Sequence, residues 1–271
     1  MPSADLLEQL WRDTVREQLF GDSRPSRTPA LILVGAQPGA GKTRGAIAAK
    51  ALHPGEGFVD IIGDDLRAFH PDYDKLLDDP DPEVMPRETA ATSAWMVERA
   101  IRYAAENGIS ALVEGTFRNP DTPLATVRLF DGFTRHAVAL GVPRAVSWQG
   151  CVARHLAAAL TGRPARWTPL RHHNLAYDAM IPTLEELEAS ALFDRLTAVD
   201  RDGQVRGDGE RGWARAVEEL RASPSPSLVE EFWRAQRWLA GVPREGLPDQ
   251  VIEGLRALDD LCSPDSGFPQ G

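Results

Sequence analysis

Apolar residues along the chain fall into two rhythms. Between Asp5 and Phe20, Leu6, Leu7, Leu10, Val15 and Leu19 recur at helical spacing, which predicts one amphipathic helix. The polar, proline-bearing stretch SRPSRTP at 23–29 reads as a linker. Ala30-Leu-Ile-Leu-Val34 is then a short uninterrupted apolar run, the signature of a strand covered on both faces. Comparable runs lie at 58–62, 110–113, 136–142 and 196–199, with helical patterns at 43–52, 87–106, 122–131, 144–160 and 169–190. Strand alternating with helix predicts right-handed crossovers and an α/β fold: a doubly wound, mostly parallel sheet with helices on both faces.

After Asp202-Gly203, which reads as a closing turn, the pattern changes. Short helices are expected at 213–222, 228–239 and 250–261, separated by Ser223-Pro-Ser-Pro226 and by 241–248 and followed by a Pro/Ser/Gly tail from Ser263. The expected organisation is a main domain over 1–206, including an N-terminal helix at 4–20, and a helical C-terminal extension over 207–271. No internal repeat is visible.

Composition narrows the classes. With 271 residues, 42% hydrophobic and 26% charged, the chain has ordinary globular usage and enough length for a substantial core. No stretch approaches the ~20 charge-free apolar residues of a membrane span, and Asp5 and Glu8 precede any apolar run, unlike a secretory signal. A soluble, cytoplasmic protein without a membrane partner is expected. A net charge of −10 argues against a general nucleic-acid coat, which needs cations to neutralise phosphates, and leaves room for a local basic pocket. Cys151 and Cys262 show no paired or metal spacing and read as two buried free thiols. His70, His172 and His173 lack a third ligand at zinc spacing and read as cap, core or loop residues.

The strongest chemical signal is Gly35-Ala-Gln-Pro-Gly-Ala-Gly-Lys-Thr43, directly between the first buried strand and a helix. Small residues there let backbone N–H groups curl around phosphate oxygens, and the helix N-terminus adds partial positive charge. Gln37, Pro38, Gly39, Ala40, Gly41, Lys42 and Thr43 are the expected nucleotide-binding residues. Lys42 would reach the β- and γ-phosphates and the Thr43 hydroxyl would ligate Mg²⁺. The strict phosphate-loop pattern has glycine where this chain has Ala36, a substitution compatible with negative φ.

Two further strands end in acids. Ile61-Ile-Gly-Asp-Asp-Leu-Arg67 brings Asp64 to the rim where ligands bind in doubly wound sheets, as a candidate general base for an attacking hydroxyl. Asp65 reads as a helix cap. Ala111-Leu-Val-Glu-Gly-Thr-Phe-Arg118 offers Glu114 as a Mg²⁺-water ligand or substrate anchor, and Arg118 as a contact for a polar or anionic substrate. Arg154 and Arg166 are candidates for stabilising charge on a transferring phosphoryl group.

In this order and spacing, the segments resemble the zeta-toxin family of small-molecule kinases, from about Leu7 to Asp202. They are Gln37-Pro-Gly-Ala-Gly-Lys-Thr43, Gly63-Asp64 with Arg67 and His70-Pro71, Met96-Val-Glu98, and Glu114-Gly-Thr116 with Arg118. Ala153-Arg154 and Ala165-Arg166 with Thr168-Pro169 and His173 complete the set. The resemblance implies an ATP- or GTP-dependent, Mg²⁺-requiring kinase acting on a nucleotide-sugar, typically UDP-N-acetylglucosamine, as the toxin of a pair with a separate antitoxin protein. It implies Asp64 as base, Lys42 and Thr43 at the triphosphate and Mg²⁺, and Arg154 and Arg166 as transition-state arginines. Glu98, Glu114, Thr116, Arg118 and Thr126 would line the acceptor pocket; Glu98 would otherwise read as a solvated mid-helix residue. Competing readings are a kinase of another small molecule, such as a dinucleotide or an antibiotic, and a catalytically silent nucleotide-binding regulator. The last has no use for a base at Asp64.

Overall fold

In the computed structural model, which describes residues 2–161, 166–209, 211–263 and 267–269, the sheet organises everything else. Its centre is β1 (Ala30–Gly35), every residue of which is buried. Parallel to it run β3 (Ala111–Gly115) on one side and β4 (Thr134–Leu140) on the other, then β2 (Val59–Ile61) beyond β3 and β5 (Arg195–Val199) beyond β4. The order β2-β3-β1-β4-β5 is closed by β6 (Val205–Gly209), which pairs antiparallel with β5. The expected mostly parallel α/β fold is what forms. The sequence reading did not include β6: Val205-Arg-Gly-Asp-Gly209 is polar and largely exposed, so an edge strand of this kind writes no apolar run. The boundary drawn between 206 and 207 falls inside this strand.

Alternate side chains of each strand feed two cores. Leu31, Leu33, Ala111, Val113, Ala137 and Ala139 point to one face. There they meet the N-terminal helical segment, comprising α1 (Ala4–Leu10), a π turn at Trp11–Val15 and α2 (Arg16–Phe20). The same core takes in α6 (Val84–Glu106), α7 (Asp121–Leu129), α9 (Leu170–Ala189) and α10 (Trp213–Ala222). Ile32, Val34, Leu112, Val138 and Leu140 point to the other face and pack with α3 (Lys42–Ala51), α8 (Arg144–Leu160), α11 (Pro226–Ala240) and α12 (Asp249–Leu261). Two short helices, α4 (Gly63–Leu66) and α5 (Tyr73–Leu77), lie between β2 and α6; the sequence reading left them as loop. The tail residues Pro264, Asp265, Ser266, Gln270 and Gly271 lie outside the described residues. Cys151 is buried as expected, whereas Cys262 at the end of α12 is only partly so.

The C-terminal helices pack into the second core. Trp148 on α8 is fully buried, and its indole N–H donates to the Gly254 carbonyl of α12 at 2.8 Å. Trp148 stacks edge-on with Trp167 at 5.7 Å between centroids. A Cβ on Gly254 would approach the Trp167 ring to 2.6 Å and the Trp148 ring to 3.0 Å, so only glycine lets α12 sit on this pair. Gly254→Ala should therefore cost about 1–3 kcal/mol, typical of overpacking. At roughly 2–4 °C per kcal/mol for a chain of this size, the thermal midpoint should fall by several degrees in differential scanning calorimetry.

Candidate active site

β1 ends at Gly35 in register with Gly115 of β3 and Ala139 of β4, so the following loop opens on the carboxyl rim of the sheet. Gly39 and Gly41 have φ of +77° and +90°, backbone that carries a side chain only under strain. At Gly39 there is also no space, since a Cβ would lie 1.9 Å from the Ser147 carbonyl oxygen. Gly41 caps α3 without a side chain, which leaves the helix N-terminus to a ligand. Ala36 is buried and is not among the positive-φ residues, so alanine fits where the stricter pattern has glycine. Gln37 is turned inward. Its amide donates to the Val142 carbonyl at 2.9 Å, and its Oε1 accepts from Arg221 at 3.2 Å.

Beside the loop lies a cleft of about 300 Å³. Pro38, Gly39 and Lys42 line it from the loop, Asp64 from the rim after β2, Glu114 and Thr116 from the end of β3, and Arg154 and Arg166 from the opposite wall. Eight of the predicted site residues thus share one cavity. Ala40 is buried beneath it, and Gly41 and Thr43 sit at the start of α3 without lining it. Three others stand outside the cleft lining. Glu98 is exposed on α6 and paired with Arg102 at 2.8 Å. Thr126 is buried in α7 with its hydroxyl donating to the Thr122 carbonyl. Arg118 is exposed in the loop after β3. Ala165, which opens the second arginine segment, lies outside the described residues.

Asp64 is held between two guanidinium groups. Arg67 Nε donates to its Oδ1 at 3.2 Å, while Arg166 Nη1 stands 3.4 Å from Oδ2 and donates to the Asp64 backbone carbonyl at 3.1 Å. Arg67 is fixed in turn by donating Nη1 to the Pro86 carbonyl and to Thr89 Oγ1, both at 2.8 Å. Desolvation by the cleft walls pushes the Asp64 carboxyl up, but Arg166, Arg67 and Lys42 together outweigh it and hold the group below its ordinary value. Glu114 goes the other way. Partial burial raises it, Lys42 opposes, and Asp65, Asp64 and Asp60 add repulsion. The rim therefore carries one carboxyl whose proton affinity is lowered and one whose affinity is raised. The cap expected of Asp65 does not form: Ile62 occupies the cap position of α4 and no side chain bonds there.

Buried aromatics aim the polar groups. Trp167 is almost fully buried against Trp148 and His155, which fixes the backbone next to Arg166. Phe117, at φ +47°, buries its ring against Gly35 and Trp213 and so anchors the chain between Thr116 and Arg118. Arg154 Nη2 donates to Thr168 Oγ1 at 3.4 Å. His172 lines the cleft, whereas His173 is buried, bonded to Ser147 and Asn174, and pushed down to about 4 chiefly by burial. His70 accepts from the Asp72 N–H, a turn-capping role. Sequence reasoning did not assign a site role to Arg67, Ser93, Trp167 or Thr168, and it read His172, which lines the cleft, as a cap, core or loop residue. Of these, Arg67 and Thr168 stood in the family-like segments, and Arg67 also follows Asp64 by three residues on one helical face. Among the described residues there is no cluster of three or more metal-ligating side chains, and no helix is long and apolar enough to cross a membrane.

If Arg67 holds Asp64 as described, Arg67→Met should move the Asp64 carboxyl titration to higher pH. Carbon-13 NMR of the carboxyl across pH 2–7 reads this directly, and an unchanged titration would sever the two residues.

The family model described as Zeta toxin matches residues 13–207. The chain is 27% identical over 191 residues to Toxin zeta of Enterococcus hirae, an alignment covering 69% of this chain and 66% of that protein. It is 26% identical over 200 residues to Toxin PezT of Streptococcus pneumoniae, covering 73% and 78%. In structure it is similar to a chain from the PezAT chromosomal toxin-antitoxin system of Streptococcus pneumoniae, with a TM-score of 0.75 at 22% identity over 89% of this chain and 99% of that one.

Proposed function

The chain belongs to the zeta toxin family, and we propose that it is a Mg-ATP- or Mg-GTP-dependent kinase that transfers the γ-phosphate to a hydroxyl of a nucleotide-sugar, most simply UDP-N-acetylglucosamine. One observation carries the reading: a phosphate loop with its lysine, an ionised carboxylate and two arginines converge on one cleft. A binder needs the loop alone; the carboxylate opposite it is what transfer to a hydroxyl requires.

In this reading Lys42 and the amides of the glycine loop hold the triphosphate. The glycine-capped start of α3 and the Thr43 hydroxyl suit a hydrated divalent cation, and Mg²⁺ bound there would supply neutralisation of the phosphate charge. Asp64 accepts the proton of the acceptor hydroxyl. Its depressed basicity is no obstacle, because a loose phosphoryl-transfer transition state places little demand on base strength and the carboxylate is ready in its ionised form. Arg154 and Arg166 face the charge that spreads over the transferring oxygens. Arg67 stays on Asp64 and fixes its direction. Glu114 and Thr116 contact the acceptor from the end of β3, with Arg118, Glu98 and Thr126 joining in the acceptor-bound state.

The biological consequence we propose is growth inhibition in the cytoplasm, relieved by a separate antitoxin protein. The named toxins among the relatives, and the toxin-antitoxin system that supplied the structural neighbour, support it.

The test is mass spectrometry of the purified protein with Mg-ATP and a panel of nucleotide-sugars, dinucleotides and aminoglycosides, with Asp64→Asn run beside it. Phosphorylated UDP-N-acetylglucosamine is expected with the wild type. The variant should retain ATP binding and lose transfer by a factor of ~10²–10⁴, the contribution of a positioned base. Transfer at the wild-type rate by Asp64→Asn would refute the mechanism, and ATP bound with no product across the panel would favour a regulator.

A further inference from the structure

A loop that presents its N–H groups to phosphate must turn carbonyl groups the other way. Those carbonyls then lie in the protein, where each needs a donor. At Gly39, whose φ is +77°, the carbonyl oxygen packs on α8 so closely that a Cβ on Gly150 would approach it to 2.5 Å. Its donor comes from the turn after β5, two strands away on the same rim: Arg201 Nη1, at 2.8 Å. The stem of Arg201 crosses the loop at Gly41, where Cγ would stand 3.7 Å from an added Cβ, and its Nη2 would lie 3.4 Å from one on Gly150. Arg201 thus spans the loop between its two positive-φ glycines.

The residue sits in the turn between β5 and β6, and that turn is rigid. Asp200 accepts from the backbone N–H groups of Asp202 and Gln204, both at 2.9 Å, and from Arg206 at 2.8 Å. The turn also grips the first turns of α3. Asp202 pairs with Arg44 at 2.7 Å, and Gly203 lies against the Arg44 carbonyl and the Ala48 methyl with no room for a side chain. Desolvation pushes the Arg201 guanidinium down from its ordinary value, with Glu231 opposing, as expected for a cation set into the protein rather than into solvent.

We infer that Arg201 is a positioning residue of the phosphate loop, holding the Gly39 carbonyl on the protein side so that the loop's N–H groups face the triphosphate. The inference rests on the nucleotide-binding part of the proposed function and is independent of the acceptor. Because the arginine acts through the loop, its loss must be felt equally by every ligand that presents a triphosphate, whatever base it carries.

Isothermal titration calorimetry with Mg-ATP, Mg-GTP and Mg-tripolyphosphate tests this on the full chain, with circular dichroism and thermal melting confirming the fold. Arg201→Met keeps the apolar stem and removes the donors. It should weaken all three ligands by about 10–100-fold, the loss expected for one charge-assisted hydrogen bond. Arg201→Lys keeps the charge and one donor. It should lose less, again equally on the three probes, and it carries the comparison alone should the methionine variant not fold. Wild-type affinity in a folded variant would overturn the role, as would a loss for ATP with tripolyphosphate spared, which would move Arg201 to the nucleobase. A wild-type chain that binds none of the three would instead overturn the nucleotide reading, and this inference with it.

Discussion

Gathering Lys42, Arg67, Arg154 and Arg166 into one small cleft sets the central physical problem of this molecule. Like charges at such spacing repel, and the repulsion is largest when no phosphate is present to absorb it. The fold answers with carboxylates. Asp64 takes one guanidinium on each oxygen, and Glu114 stands within electrostatic reach of Lys42 from the adjacent strand end. The same groups that would act on a substrate therefore also hold the cleft together. Desolvation pushes both carboxyls up; at Asp64 it is outweighed by Arg166, Arg67 and Lys42, whereas at Glu114 only Lys42 opposes it and three aspartates add to it.

The two arginines on Asp64 are held differently, which divides their labour. Arg67 is anchored by α6 through the Pro86 carbonyl and the Thr89 hydroxyl. Such an arginine sets the direction of the carboxylate and stays. Arg166 has only Asp64 as a hydrogen-bonding partner among the described residues, and its position comes from the buried Trp167 beside it. An arriving phosphate dianion would compete for Arg166 far more effectively than for Arg67. The pair Trp148–Trp167 and the close seat of Gly254 connect that arginine to α12, so the C-terminal helices bear on the cleft wall through packing.

What could be read from the sequence follows from how each feature is encoded. Strands buried on both faces write continuous apolar runs, so β1, β3, β4 and β5 were legible to within two or three residues, and the phosphate loop between β1 and α3 was legible from its glycines. An exposed antiparallel edge such as β6 has no such signature. Roles that depend on distant chain segments were silent. Nothing around Gln37 announces that its amide serves Val142 and Arg221, and nothing around Arg201 announces a partner 162 positions away. Glu98 and Thr126 came from family resemblance alone, and neither lines the cleft.

Net charge and site charge are reconciled by how the arginines are spent. The chain carries −10 overall, yet its cleft gathers four basic side chains around a phosphate loop. Several surface arginines are matched by acids: Arg44 with Asp202, Arg171 with Glu83, Arg195 with Asp208 and Arg206 with Asp200. Among the described residues, Lys42 and Arg154 form no such ion pair, and Arg154 donates only to the neutral Thr168 hydroxyl. Cations without an ion-pair partner among the described residues thus line the cleft of a chain whose net charge is acidic. Charges converging in a cleft focus the local field, which draws anions toward the phosphate loop. An acidic composition, which argues against a general nucleic-acid binder, is in this way compatible with a single anion site and sharpens it.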